Sequence, residues 1–109
     1  MLSGDDGKTF PLILMGCSGV ISVIGNAFPS EFGKMVRLAL DGNSTEAQGI
    51  HEKFTALFDL LFIDGNPAGV KCVLHELGLI ENVLRLPLVP TSISTNQEIH
   101  NVIKHINYF

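Results

Sequence analysis

Along this chain of 109 residues the apolar positions shift from a short continuous run to helical spacing. The run Gly19-Val20-Ile21-Ser22-Val23-Ile24 is rich in β-branched residues, apolar on both alternating faces and closed by Gly25-Asn26. It predicts a strand buried on both sides, the habit of parallel sheets. Before it, Thr9 to Met15 predicts a short helix ending near Gly16, with Pro11 in its first turn. After it, Phe32, Met35, Val36, Ala39 and Leu40 recur at helical spacing, with Ser30 as N-cap and Gly42 as the stop. Asn43-Ser44-Thr45-Glu46 opens a second helix in the manner of a capping box, and Ala47, Ile50, Phe54, Leu57, Phe58 and Leu61 form its stripe. A third starts at Asn66 as cap, with Pro67 first, Val70, Val73, Leu74 and Leu77 on its apolar side and Gly78 beyond its end. Leu84 to Pro90 reads as extended because Pro87 and Pro90 forbid helix there. Thr95-Asn96-Gln97-Glu98 then caps a last helix carrying Ile99, Val102, Ile103 and Ile106.

This order, one βα unit followed by helices, reads as a single continuous domain with no repeat or linker. It leaves a sheet too small for itself. Parallel strands buried on both faces need neighbouring strands and covering helices, so the expectation is that the upstream part of the sheet lies outside this sequence.

Composition narrows the function classes. With 46% hydrophobic and only 17% charged residues, the chain has the makings of a packed core, not of a disordered segment. A net charge of -4 without a basic run argues against a nucleic-acid partner, which needs clustered Lys and Arg. The longest apolar stretches, Pro11 to Met15 and Gly19 to Ile24, fall far short of the roughly 20 residues of a membrane helix. The start Met1-Leu2-Ser3-Gly4-Asp5-Asp6 has no secretory pattern, so a cytoplasmic location is expected. Cys17 and Cys72 fit no zinc spacing and read as two buried thiols.

Other residues invite chemistry and are better read as structure. Asp5 and Asp6 are adjacent acids with no histidine or third acid nearby in sequence, so one is expected to cap the following helix. Lys71, in an apolar helix, has the setting of a depressed-pKa amine, but a lysine that snorkels or bonds to neighbouring carbonyls fits as well and more simply. His51, His75, His100 and His105 are too scattered for a metal site. The Ile50–Leu61 stripe is too short for a coiled coil and reads as core.

Five motifs in register resemble one family: Leu2-Ser3-Gly4-Asp5-Asp6; Gly19-Val20-Ile21-Ser22-Val23 with Asn26; Asn66-Pro67 with Val70-Lys71; Glu76-Leu77-Gly78-Leu79; and Leu84-Arg85-Leu86-Pro87-Leu88-Val89-Pro90. Together they look like the C-terminal part of dihydrodipicolinate synthase. Ala68-Gly69 departs from the second proline more usual in the family there. The resemblance implies an α/β fold, the C-terminal piece of a (β/α)8 barrel. Leu2-Ser3-Gly4 would end strand seven and Gly19 to Val23 would form strand eight, with residues 1–42 as barrel end and 43–109 as helical tail. Such barrels keep their chemistry at the C-terminal ends of their strands.

The family's reaction, in that case, condenses pyruvate with aspartate semialdehyde through a Schiff base on a lysine of strand six, assisted by a tyrosine from an earlier strand. Both would lie upstream of Met1, since Tyr108 is the sole tyrosine and sits at the far end of the last helix. No catalytic residue, metal or cofactor is therefore expected in this chain. The resemblance assigns two substrate-binding positions: Gly4, whose backbone approaches the keto acid, and Ile21, which closes one wall of the pyruvate pocket. A sibling lyase, for N-acetylneuraminate or a keto-deoxy sugar, stays open as an alternative. So does a non-catalytic helical module that self-associates. A homo-oligomer is expected in each case.

Overall fold

The computed structural model describes residues 1–86 and 88–106, so Pro87 and Tyr108 lie outside the described residues. The elements are β1 (Leu2–Ser3), α1 (Asp6–Leu14), β2 (Gly19–Val20), α2 (Pro29–Leu40), α3 (Ser44–Ile63), α4 (Ala68–Glu76) and α5 (Ile93–Ile106). They fall into two compact units, Met1–Thr55 and Ala56–Phe109, the division running through α3. Among the described residues no helix is long and apolar enough to cross a membrane.

In the first unit β1 and β2 pair in parallel, Leu2 opposite Gly19 and Ser3 opposite Val20, with α1 as the connection. The strand expected over Gly19 to Ile24 is cut to two residues plus one further ladder bond, from the Ile21 N–H to the Ser3 carbonyl at 2.9 Å. The cause is Asp6. Its buried carboxylate accepts the N–H groups of Val23 (3.1 Å) and Ile24 (2.8 Å), drawing them out of any ladder and into a 3-10 turn over Ile24–Asn26. The expected burial on both sides fails as well: Ile21 is 74% exposed, because among the described residues no strand beyond β2 flanks its side chain on the sheet face.

The first helix starts at Asp6, not at Thr9. Asp5 caps it by accepting the Gly7 N–H at 3.0 Å, which the pair of acids had led one to expect of one of them. Pro11 consequently lies inside the helix and not in its first turn. It is tolerated on the exposed side, where Gly7, whose carbonyl loses the donor four residues on, is only half-buried. Ser30 is likewise no cap. Pro29 takes the first helical position of α2, which suits its fixed φ and missing N–H, so Ser30 becomes the second residue of the helix and Phe28 the cap. The core of this unit gathers Phe10, Ile13, Ile24, Phe32, Met35 and Ala39, with the Phe28 and Phe54 rings 5.3 Å apart.

In the second unit the expected stripe is core: Leu57, Phe58 and Leu61 of α3 are buried, as are Val70, Cys72 and Val73 of α4 and Ile99, Ile103 and Ile106 of α5. Gly42 and Gly78 stop α2 and α4 as expected, at φ of 87° and 77°, a left-handed turn that glycine adopts without a Cβ penalty. Asn66 does not cap α4. Pro67 holds the cap position without a side-chain bond, and the Gly69 N–H is taken by the Gly65 carbonyl at 3.2 Å. Thr95 does not start α5. The helix begins at Ile93, and Ser92 closes it by accepting the buried Thr95's N–H at 3.3 Å while giving its own N–H to Asp64 at 2.7 Å. Leu84–Pro90 carries no helix among its described residues, as its prolines predict, but it is not extended throughout, because the Leu88 N–H donates to the Arg85 carbonyl at 3.0 Å and closes a turn.

Two packing features have measurable consequences. A Cβ on Gly69 would stand 2.3 Å from the Leu61 carbonyl oxygen, so α4 rests on the α3 backbone. Gly69→Ala gains up to about 1 kcal/mol of helix propensity but must displace that backbone, an overpacking cost of about 1–3 kcal/mol. The substitution is expected to lower the urea midpoint at an unchanged slope. The His51 ring stacks on Phe10, centroids 5.4 Å apart, and burial holds its pKa below the ordinary 6.5, the charge of Glu52 acting weakly the other way. The unfolded chain then binds this proton more readily than the folded one. Stability from His51 is full above 6.5 and declines as the pH falls through it, levelling off below the depressed folded value. Urea midpoints measured across that range should fall toward acid in the natural chain and fall less in His51→Gln.

Candidate substrate-binding site

The two strands run side by side and end together at Ser3-Gly4 and Val20-Ile21. The end of β1 is fixed by hydroxyls. Ser3 is 2% exposed; its Oγ accepts the Asp5 N–H (3.2 Å) and stands 3.1 Å from both the Asp5 carbonyl oxygen and the Thr9 Oγ1, to one of which its single proton goes. Thr9, fully buried, donates to the same carbonyl at 2.9 Å. This network holds the Gly4–Asp5 turn rigid. The end of β2 is fixed by the ladder bond of Ile21 and by the Asp6 clasp two residues further on.

Gly4 stands on this rigid turn with open space before it: a Cβ built there meets nothing within 4 Å, and its φ lies outside the range that requires glycine. Neither packing nor backbone geometry within the described chain asks for a glycine at this position. Ile21 projects from the neighbouring strand end, with most of its surface uncovered. The structure thus brings Gly4 and Ile21 to adjacent strand ends on the same side of the sheet's exit.

The remaining reactive residues are used elsewhere. Asp5 and Asp6 do not converge: one caps α1 and the other, 3% exposed, clasps β2 through Oδ2, with no hydrogen-bond partner for Oδ1 among the described residues. The Lys71 ammonium donates to the Val83 carbonyl at 3.0 Å, the structural role expected of it. Cys17 and Cys72 are buried free thiols, and burial pushes the Cys72 thiol up while it donates to the Asn96 Oδ1 at 3.2 Å, so it is a poor nucleophile. No group of three or more His, Cys, Asp or Glu side chains suited to a metal occurs among the described residues.

Two features were not legible beforehand. The Asp6 clasp joins residues 17 and 18 apart and no local spacing signals it. The Glu76–His100 pair, 2.6 Å apart, beside a hollow of about 530 Å³ lined by Ile93, Asn96, Gln97 and Asn101, joins helices α4 and α5 across 24 residues of sequence.

With this geometry in view, comparison with known proteins is specific. The chain matches the Dihydrodipicolinate synthetase family over residues 1–106. It is 61% identical over 106 residues to the 4-hydroxy-tetrahydrodipicolinate synthase of Phocaeicola vulgatus, covering 97% of this chain but 36% of that relative. It is similar in structure to the dihydrodipicolinate synthase of Thermotoga maritima, with a TM-score of 0.93 at 39% identity over 99% of this chain and 37% of that one. The chloride-inhibited dihydrodipicolinate synthase of Acinetobacter baumannii, solved in complex with pyruvate, gives a TM-score of 0.92 at 33% identity, again over 99% and 37%. The chain therefore spans little more than a third of the length of the relatives it matches. Its fold is the C-terminal piece of their barrel, the last two strands followed by a mainly helical tail. On sequence and structure together, this chain belongs to the dihydrodipicolinate synthetase family.

Proposed function

We propose that this chain supplies one wall of the pyruvate pocket of a Schiff-base lyase that condenses pyruvate with aspartate semialdehyde, and that it carries no catalytic nucleophile of its own. In such a reaction a lysine amine adds to the keto carbon of pyruvate and water leaves. The resulting protonated imine acidifies the adjacent methyl group; loss of a proton from that carbon to a base gives an enamine, whose carbon then attacks the aldehyde carbonyl while the aldehyde oxygen takes up a proton. A wall that keeps water out and holds the keto acid in one orientation favours that attack.

The observation that carries the reading is the glycine that the described chain does not need. Gly4 sits on a rigid turn at a strand end with nothing in front of it, and Ile21 offers apolar side chain and main chain next to it. A keto acid brought against that turn would meet backbone at Gly4 where any side chain would intrude. A relative complexed with pyruvate supports the substrate class.

The lysines support the second half of the proposal. Lys8, Lys34, Lys53, Lys71 and Lys104 all lie on helices, whereas a barrel nucleophile projects from a strand end. Residues 1–42 then belong to the barrel end and 43–109 to the tail, and the lysine and tyrosine of the chemistry come from strands that precede this sequence in a full barrel.

Borohydride trapping tests this directly. The chain alone, and the chain fused behind the preceding segment of the Phocaeicola vulgatus relative, are incubated with pyruvate and borohydride, which reduces an imine to a stable secondary amine. Intact mass should show one pyruvate-derived adduct on the fusion and none on the chain alone. Specific trapping of the chain alone would place the nucleophile among its own lysines and overturn the proposal, and so would a folded fusion that traps nothing.

A further inference from the structure

The backbone under Ile21 is held more firmly than a side chain 74% exposed requires. On one side the Ile21 N–H donates to the Ser3 carbonyl at 2.9 Å, and two residues on the Val23 and Ile24 N–H groups donate to the Asp6 Oδ2 at 3.1 and 2.8 Å. The turn that follows is closed locally as well. The Ser22 Oγ accepts the Gly25 N–H at 2.9 Å, and the Asn26 Nδ2 donates to the Val23 carbonyl at 3.0 Å. The 3-10 turn over Ile24–Asn26 has no side-chain cap at Val23 itself, so Asp6, 3% exposed, supplies the cap from α1. Its Oδ1 has no hydrogen-bond partner among the described residues, which leaves β2's continuation as what the carboxylate grips.

We infer that Asp6 is a positioning residue for the keto acid: through its hold on Val23 and Ile24 it sets where Ile21 stands beside Gly4. The inference rests on the lyase reading above and adds to it the residue that shapes the wall. Asp6 lies two positions after Gly4, on a turn fixed by the Asp5 cap and the Ser3–Thr9 hydroxyls. One carboxylate anchored beside the first wall residue thus grips the strand end that carries the second. Groups that orient a reactant work only when supporting bonds lock them, and a displacement of about 1 Å costs up to about 100-fold. A rival account makes Asp6 an ordinary first-turn acid that offsets the dipole of α1. Its bonds favour the clasp, since they run to Val23 and Ile24, while the Gly7 amide of α1 is taken by Asp5. The two accounts also ask for different chemistry: the dipole needs a negative charge, the clasp an acceptor oxygen at one place.

The test uses the fusion with the preceding segment of the Phocaeicola vulgatus relative, natural and as Asp6→Ala, Asp6→Asn, Asp6→Glu, Ile21→Ala and the Asp6→Ala, Ile21→Ala pair. Borohydride trapping at graded pyruvate gives the half-saturating concentration, and amide exchange reads the clasp. Asp6→Ala is expected to raise that concentration about tenfold and to speed exchange at Val23 and Ile24. Asp6→Asn keeps an acceptor oxygen without the charge and is expected to restore most of both. Asp6→Glu keeps the charge but moves the oxygens by a methylene, and is expected to behave like Asp6→Ala. Because Asp6 acts through Ile21, the double variant should lose clearly less than the product of the two single losses. A merely structural loss would instead lower the trapped maximum and multiply with that of Ile21→Ala. A folded Asp6→Ala with unchanged half-saturation overturns the inference, and so do losses that multiply. If Asp6→Ala does not fold, Asn and Glu decide: Glu natural-like with Asn impaired assigns Asp6 to the helix dipole and overturns it too. A natural fusion that traps pyruvate alongside indifferent Asp6 variants removes this inference alone, whereas a natural fusion that traps nothing removes the lyase reading and this inference with it.

Discussion

The Asp6 carboxylate decides where the sheet ends. By accepting the N–H groups of Val23 and Ile24 it turns the chain out of β2 immediately after Ile21, and it does so from a position 3% exposed, where charge-assisted hydrogen bonds count for about 1.5–3 kcal/mol each. Asp6 is the first residue of α1, anchored in turn by the Asp5 cap and the Ser3–Thr9 hydroxyl network at the end of β1. The ends of both strands are thereby tied to one another through side chains of a single turn. Without that tie, Gly4 and Ile21 would sit on two independent loops.

Open edges and an exposed Ile21 are costly features in an isolated domain, since they leave backbone and apolar surface in water. They are unremarkable in one part of a closed barrel, and the family match and the similarity to much longer barrels agree with that. The second unit presents no such edge among its described residues. Its helices are closed by local devices, the Ser92 hydroxyl at α5 and the Gly78 turn at α4, and its close contact of Gly69 with Leu61 is a packing constraint rather than a site.

Much of this was legible in the sequence, for physical reasons that also mark the limit. Helical periodicity located the body of every helix from α2 to α5, because a buried stripe repeats at a period the sequence displays. Helix starts were legible less often. Ser30, Asn66 and Thr95 are good capping residues, yet Pro29, the Gly65 carbonyl and Ser92 took those tasks, since a cap is chosen by the backbone path that reaches it. Pro11 misled because an exposed position tolerates a proline that a buried one does not. The strand was read too long because β-branched residues at Val23 and Ile24 speak for a strand, while a partner 17 and 18 residues away in sequence speaks against it. The family motifs pointed to Gly4 and Ile21 by position alone; that they stand at adjacent, rigidly held strand ends is a fact of the fold.

The proposed wall of Gly4 and Ile21, against which a keto acid would be held, can be seen directly. The most direct measurement is a crystal structure of the fusion with the Phocaeicola vulgatus segment, soaked with pyruvate. The keto acid is expected to lie against the Gly4 backbone and the Ile21 side chain, joined to a lysine from the added segment. Pyruvate bound through one of this chain's own lysines, or held with Gly4 and Ile21 out of contact, would contradict it.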